Sequence, residues 1–184
     1  SLTVNADYTV PVPGIISAFD VYTNNPNPVF QVTSNEQESI FWCWRDYVDF
    51  TYCDNGVAFS NLDEGNHTVE VIAVDRAGNQ SDFLPYYFVT DYTKPVVNNI
   101  NGGDRFGTVP YRYTPEYIFV SYKELNPVKE GAGTAPLQLD GILLSSSIDD
   151  ANKLVFTNMP SDLSEGEHTI DFRLTDAAGN ESDP

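Results

Sequence analysis
The sequence predicts an all-β fold made of two tandem antiparallel β-sandwiches. Three observations carry that prediction. A nineteen-residue stretch occurs twice without a gap: EGNHTVEVIAVDRAGNQSD at 64–82 and EGEHTIDFRLTDAAGNESD at 165–183, with ten identical positions. A second pair, DYTVPVP at 7–13 and DYTKPVV at 91–97, repeats with a period of 84 residues. Short runs of alternating apolar and polar residues, split by frequent turn residues, replace any helical period. Two copies of one device in 184 residues imply two copies of one domain.

Each copy has a legible local logic. Glu-Gly is a turn, His-Thr opens a strand, and Ile170, Phe172 and Leu174 then alternate with Asp171, Arg173 and Thr175. That is a half-buried antiparallel strand. It ends at Asp-x-Ala-Gly-Asn, where Gly179 can take a positive φ and Asp176 can accept backbone amides. The DYT-x-P segments read as proline-stiffened linkers. The boundaries follow: residues 1–6 an N-terminal strand, 7–90 a first domain and 91–184 a second.

In the first domain the expected strands are Ile15–Phe19, Val29–Thr33, Ile40–Trp44, Phe50–Tyr52, Val57–Phe59, His67–Val74 and Tyr86–Thr90, with NNPNP (24–28) as a loop. In the second they are Tyr117–Tyr122, Leu137–Leu139, Ile142–Ser145, Leu154–Phe156 and His168–Thr175. Asp140-Gly141 is a hairpin signal, and GAGTAP (131–136) reads as a flexible loop. The second domain reaches its AGN turn and stops at Pro184, so its last strand is expected to be missing. Leu2 and Val4 precede DYTVP much as a last strand precedes DYTKP. They are therefore expected either to be the remnant of a preceding repeat or to serve as a donor strand completing another copy's second domain, head to tail.

The pattern G-x-H-T-[VI]…D-x-A-G-N resembles the penultimate strand and following loop of bacterial immunoglobulin-like repeats of secreted and surface proteins. SIFWCWRDYVDFTYC ahead of NLDEGNHT extends the resemblance in the first repeat, because many such repeats carry two cysteines around a hairpin there. The resemblance implies two tandem immunoglobulin-like sandwiches. In that fold the loop after the second strand, the loop after the sixth and the entry linker lie together. Asp7, Glu36 and Asp75, with Asn79, would then meet in the first domain, and Asp91, Glu124 and Asp176, with Asn180, in the second. Such carboxylate sets suit Ca²⁺, which takes six to eight oxygens. The alternative is that Asp75 and Asp176 cap their own turns. The same pattern sends Phe41 and Cys43 inward. Ile40, Trp42 and Trp44 then point outward beside Ile72 and Val74, as an apolar patch that meets a partner or glycan, or is covered by a loop or by the Tyr86-Tyr87 strand.

Composition narrows the chemistry. The formal charge is −18, from 27 acidic and 9 basic residues, which argues against nucleic acid and anionic membranes. No apolar run approaches the length of a membrane span. Cys43 and Cys53, the only cysteines, flank RDYVDF. They are either a disulfide closing a short loop, which implies an oxidising extracellular compartment, or two reduced core thiols. His67 and His168 occupy one repeat position, so a structural role is expected and catalysis is not. The reading is a non-enzymatic spacer or assembly unit of a bacterial adhesin or filament. Its expected partners are other copies of itself, neighbouring repeats, a glycan or a cell-surface partner. The alternative is an accessory module of a secreted polysaccharide-degrading enzyme.

Overall fold
Alternating side chains, one face apolar, require a second sheet to cover that face, and the fold supplies it in each half of the chain. The computed structural model describes residues 3, 5–100, 103–104, 117–128 and 137–183. Leu2, Val4 and the GAGTAP segment lie outside these. The described residues contain strands and turns and no helix, and the chain divides into two units, Ser1–Asp91 and Tyr92–Pro184.

The first unit runs β1 (Pro13–Ile16), β2 (Tyr22–Thr23), β3 (Val29–Ser34), β4 (Ile40–Arg45), β5 (Asp49–Tyr52), β6 (Val57–Ala58), β7 (Gly65–Val74) and β8 (Leu84–Thr90). One sheet has the order β1-β3-β6, the other β2-β8-β7-β4-β5. Between them lie Phe30, Val57, Phe41, Cys43, Val69, Val71 and Phe88, all buried. Phe30 touches the rings of Phe19, Phe59, Tyr86 and Phe88, at centroid distances of 5.1–6.1 Å. The expected first strand, Ile15–Phe19, is corrected. It stops at Ile16 because the Ser17 hydroxyl accepts from the Phe19 amide at 3.1 Å and donates to the Phe19 carbonyl, a local turn that competes with the ladder. The chain then crosses to the other sheet, where β2 pairs in parallel with β8.

The second unit runs β9 (Val96–Ile100), β10 (Gly103–Asp104), β11 (Tyr117–Lys123), β12 (Leu137–Leu139), β13 (Ile142–Leu144), β14 (Ser146–Asp149), β15 (Leu154–Asn158) and β16 (Ile170–Phe172). Its sheets have the orders β10-β9-β11-β15-β14 and β13-β12-β16. Val97, Ile118, Val120, Leu137, Val155, Phe172 and Leu174 form its core. Asp140 and Gly141 take φ of 50° and 80° between β12 and β13, the two-residue hairpin their sequence signals. The last expected strand, His168–Thr175, is shorter than anticipated. It leaves the ladder after Phe172 and closes through a bridge between Thr175 and Glu181.

Candidate functional site
The turn after β7 is organised by one carboxylate. Asp75 is buried, and its Oδ1 accepts the Asn79 amide at 2.8 Å while Oδ2 accepts Asn79 Nδ2 at 2.8 Å. Gly78 makes the turn possible with φ of 94°, a conformation a side chain rarely adopts. Burial alone would raise the Asp75 pKa. The Asn79 side chain and the Asn79, Gly78 and Ala77 amides outweigh it and hold the carboxyl below its usual range. Asn79 Nδ2 also donates to the Asp7 carbonyl at 3.1 Å, which ties the entry segment to this turn. The loop after β3 arrives beside them, shaped by Ser34 Oγ accepting the Glu36 amide at 3.1 Å.

The result is a convergence of Asp7, Glu36 and Asp75, whose ligand oxygens all lie within 4.8 Å of one another. Two ligands of one Ca²⁺ at 2.3–2.6 Å each sit at most about 5 Å apart, so the spacing fits a shared ion. Glu36 Oε1 is shielded from solvent and has no hydrogen-bond partner among the described residues. Desolvation, then the charges of Asp7 and Asp75, push the Glu36 pKa up. The donor set is oxygen only, which suits a hard cation. The Asn79 amide turns its nitrogen inward, so it clamps the turn and the available ligands are the three carboxylates. Asp75 caps its own turn and also belongs to the carboxylate cluster.

The second expected set divides between the units. Asp91 is the last residue of the first, while Glu124 and Asp176 lie in the second. There the device that follows β7 in the first unit repeats. Asp176 Oδ1 accepts from Gly179 and Asn180 amides at 2.7 and 2.8 Å, Oδ2 from Asn180 Nδ2 at 2.7 Å, and Asn180 Nδ2 also donates to the Thr93 carbonyl at 3.3 Å. The loop after β11 is drawn to this turn by the Ala177 amide donating to the Pro127 carbonyl at 2.7 Å. Glu124 is buried. Its Oε1 accepts the Leu125 and Asn126 amides, and its Oε2 has no hydrogen-bond partner among the described residues. The loops after β3 and β11 thus each carry a shielded, incompletely bonded carboxylate.

Cys43 and Cys53 are bonded, with Cα atoms 6.0 Å apart. The bridge is diagonal. Cys43 faces Thr51 in the ladder, and the Cys53 amide donates to the Phe41 carbonyl at 2.9 Å. Both sulfurs face the core, as expected from the register that puts Phe41 inward.

The two histidines share a partner that the repeat pattern did not reveal. His67 Nδ1 donates to Asp46 Oδ2 at 2.8 Å, and His168 Nδ1 donates to Asp140 Oδ2 at 2.6 Å. Asp46 and Asp140 both take positive φ in a hairpin turn and also accept the amides of Thr68 and Thr169. Nε2 meets the carbonyl of Asp63 or Ser164, each at 2.9 Å. The arrangement is a clamp, with each histidine joining a hairpin tip to a loop. Each Asp stands at an edge turn some twenty to thirty residues from its histidine, and only a shared hairpin position connects them.

This clamp sets a pH dependence. The Asp140 bond, then the Ser164 carbonyl, raise the His168 pKa above 6.5. The His168 bond, then the Thr169 amide, lower that of Asp140 below 3.8. A raised histidine contributes stability that is fully present below 6.5 and lost as pH rises through its folded value. A lowered aspartate contributes above 3.8 and loses it as pH falls through its folded value. The second unit should therefore lose stability on alkalinisation above pH 6.5, and Asp140→Asn should flatten that slope in calorimetry. Equal slopes for both proteins would refute the assignment.

Outside the clusters, β4 pairs with β7 so that Trp42 faces Ile72, Trp44 faces Glu70 and Ile40 faces Val74, all on the outer face. Ile72 is buried although it lies on this outer face.

Residues 134–183 match the family of bacterial Ig-like domains. Among solved structures, the fibronectin(III)-like modules of Clostridium thermocellum CbhA share the fold. The TM-score is 0.53 at 14% identity, over 94% of this chain and 90% of that one. SGBP-B of the Bacteroides ovatus mixed-linkage glucan utilization locus, described in complex with a mixed-linkage heptasaccharide, aligns with a TM-score of 0.31 at 16% identity. That alignment covers 97% of this chain and 46% of that one. No curated protein matches the chain. No helix among the described residues is long and apolar enough to cross a membrane. Residues 134–183, within the second unit, thus resemble a bacterial Ig-like domain in sequence, and the repeated Asp-x-Ala-Gly-Asn turn lies in the matched stretch.

Proposed function
We propose that the chain is a non-catalytic, calcium-binding structural module of a secreted or cell-surface bacterial protein, serving as tandem spacer or assembly unit of an adhesin or filament. The observation that carries this reading is the convergence of Asp7, Glu36 and Asp75 at the entry of the first unit. Asp7 belongs to the linker-like DYT-x-P segment, so an ion held there ties the incoming chain to two loops of the sandwich. Calcium would offset the mutual repulsion of three carboxylates and fill the vacant acceptor of Glu36. The disulfide supports an oxidising compartment. The histidines, committed to structural bonds on both nitrogens, support a non-catalytic role.

Calorimetric titration of the full chain with CaCl₂ tests this. Saturable binding is expected, and Glu36→Gln, which keeps the loop backbone bond to Ser34, should weaken it by at least about tenfold, or 1.4 kcal/mol. Absence of binding at millimolar calcium, or binding indifferent to Glu36→Gln and Asp7→Asn, would sink the proposal.

A further inference from the structure
The outer face of the five-stranded sheet carries an aromatic layer. Trp42 on β4 stacks on Phe50 of β5, with centroids 5.5 Å apart and planes at 20°. Trp44 lies 5.1 Å from the same ring, and Tyr52 meets Trp42 edge-on at 5.8 Å. Phe83, just ahead of β8, comes within 6.3 Å of Phe50. Phe50 is on the edge strand, and β4 and β7 lie between it and β8. The two rings therefore lean toward one another across the face. The layer is closed below and open above: Phe50, Tyr52 and Phe83 remain 41%, 52% and 45% exposed.

The sandwich does not require this layer. In the second unit, Gln138 opposite Asp171 takes the place of Trp44 opposite Glu70, and Arg173 that of Ile72. The layer must answer to something else.

Charge and chemistry identify what fits. The chain carries −18, so its net field opposes the approach of a second copy or an anionic partner. Carboxylate acceptors lie beside the rings. Glu70 takes the Tyr47 hydroxyl at 3.3 Å, and Asp54 takes the Tyr52 hydroxyl. A matching ligand is uncharged, flat and rich in hydroxyl donors. An equatorially linked hexopyranose chain has these properties. Its ring faces present C–H hydrogens made electropositive by neighbouring oxygens, which sit well on the negative face of an aromatic ring. Its peripheral hydroxyls can donate to the carboxylates. Outward residues along one strand repeat at about 6.5–7 Å and neighbouring strands at about 4.8 Å, so the layer offers an extended platform rather than a single-ring pocket.

We propose that this face binds a neutral, β-linked polysaccharide chain. The proposal is independent of calcium. Trp42 and Trp44 are the only tryptophans, so the emission of the whole chain reports on this face. The test uses the full chain and hydroxyethylcellulose, a soluble neutral β-1,4-glucan, in affinity electrophoresis and fluorescence titration. Retarded migration and a saturable emission change are expected. Phe50→Ser/Tyr52→Ser, and separately Phe83→Ser, should raise the apparent Kd at least about tenfold, with circular dichroism and Tm showing that each variant is folded. Absence of both retardation and emission change would overturn the proposal, as would binding unchanged in both folded variants. So would a concentration-dependent dimer of the parent protein that Phe50→Ser/Tyr52→Ser abolishes, since that assigns the face to a second copy.

Discussion
Replacing Cys43 and Cys53 by alanine should lower the Tm of the first unit by about 10–20 °C and leave that of the second unchanged. The two half-cystines are 0% and 5% exposed, and their bridge spans ten residues of sequence. Closing a loop of that length removes conformations from the unfolded chain, which is worth about 2–3 kcal/mol. For a unit of this size each kcal/mol moves the midpoint by about 4–8 °C. The site amplifies the loss. Cys43 lies between Trp42 and Trp44 on β4, and Cys53 follows β5, so the bridge fixes the hairpin that carries most of the aromatic layer. Tryptophan emission should therefore shift in the same variant. Differential scanning calorimetry gives both transitions in one scan, and the second unit serves as internal reference. A first transition moved by less than about 2 °C would show that core packing alone determines the stability of this hairpin.

The face assignment of β4 was legible in the sequence because alternation leaves only two choices. Once Phe41 and Cys43 face inward, Trp42 and Trp44 must face out, and the ladder with β7 places Ile72 and Glu70 opposite them. The fate of that face was not legible. Ile72 is buried, and Phe83, a residue outside any strand, reaches Phe50 only through the path of a loop. The same division runs through the rest of the molecule. Asp140-Gly141 announced its hairpin because positive φ at both positions is a local requirement. The strand β2 is not legible in the sequence, since two residues in parallel pairing carry no periodic signal. The clamps of His67 and His168 are visible in sequence only as a repeated histidine. Their aspartates lie 21 and 28 residues upstream, on a different hairpin, and join them through tertiary structure. For Asp7, Glu36 and Asp75 the residue types indicated oxygen ligation. Their meeting depended on a fold that returns two loops to the entry segment.

Calcium should raise the Tm of the first unit by about 10–20 °C when its concentration reaches a hundred times Kd. An ion that binds only the folded state stabilises by about 2.7 kcal/mol at that ratio, and about 4–8 °C per kcal/mol converts it to a midpoint shift. Without a cation, Glu36 stands beside two like charges with one oxygen removed from water and unbonded among the described residues. That arrangement costs folding free energy, and the cost disappears in either of two ways. A bound calcium would neutralise it, or Glu36→Gln would remove one charge. The variant should accordingly melt higher than the parent protein in EDTA, yet gain little when calcium is added. The opposite behaviour is expected of Asp75→Asn, whose wild-type carboxylate accepts the Asn79 side chain and the turn amides. It should melt lower than the parent in EDTA and also lose the calcium response, because one oxygen set serves both the turn and the ion. A general effect of ionic strength on an acidic chain would instead raise all three proteins in parallel, and would do so equally well with NaCl at matched ionic strength. Equal midpoints for the parent protein in EDTA and in millimolar calcium would remove the ion from the account and leave Asp75 as a turn residue alone.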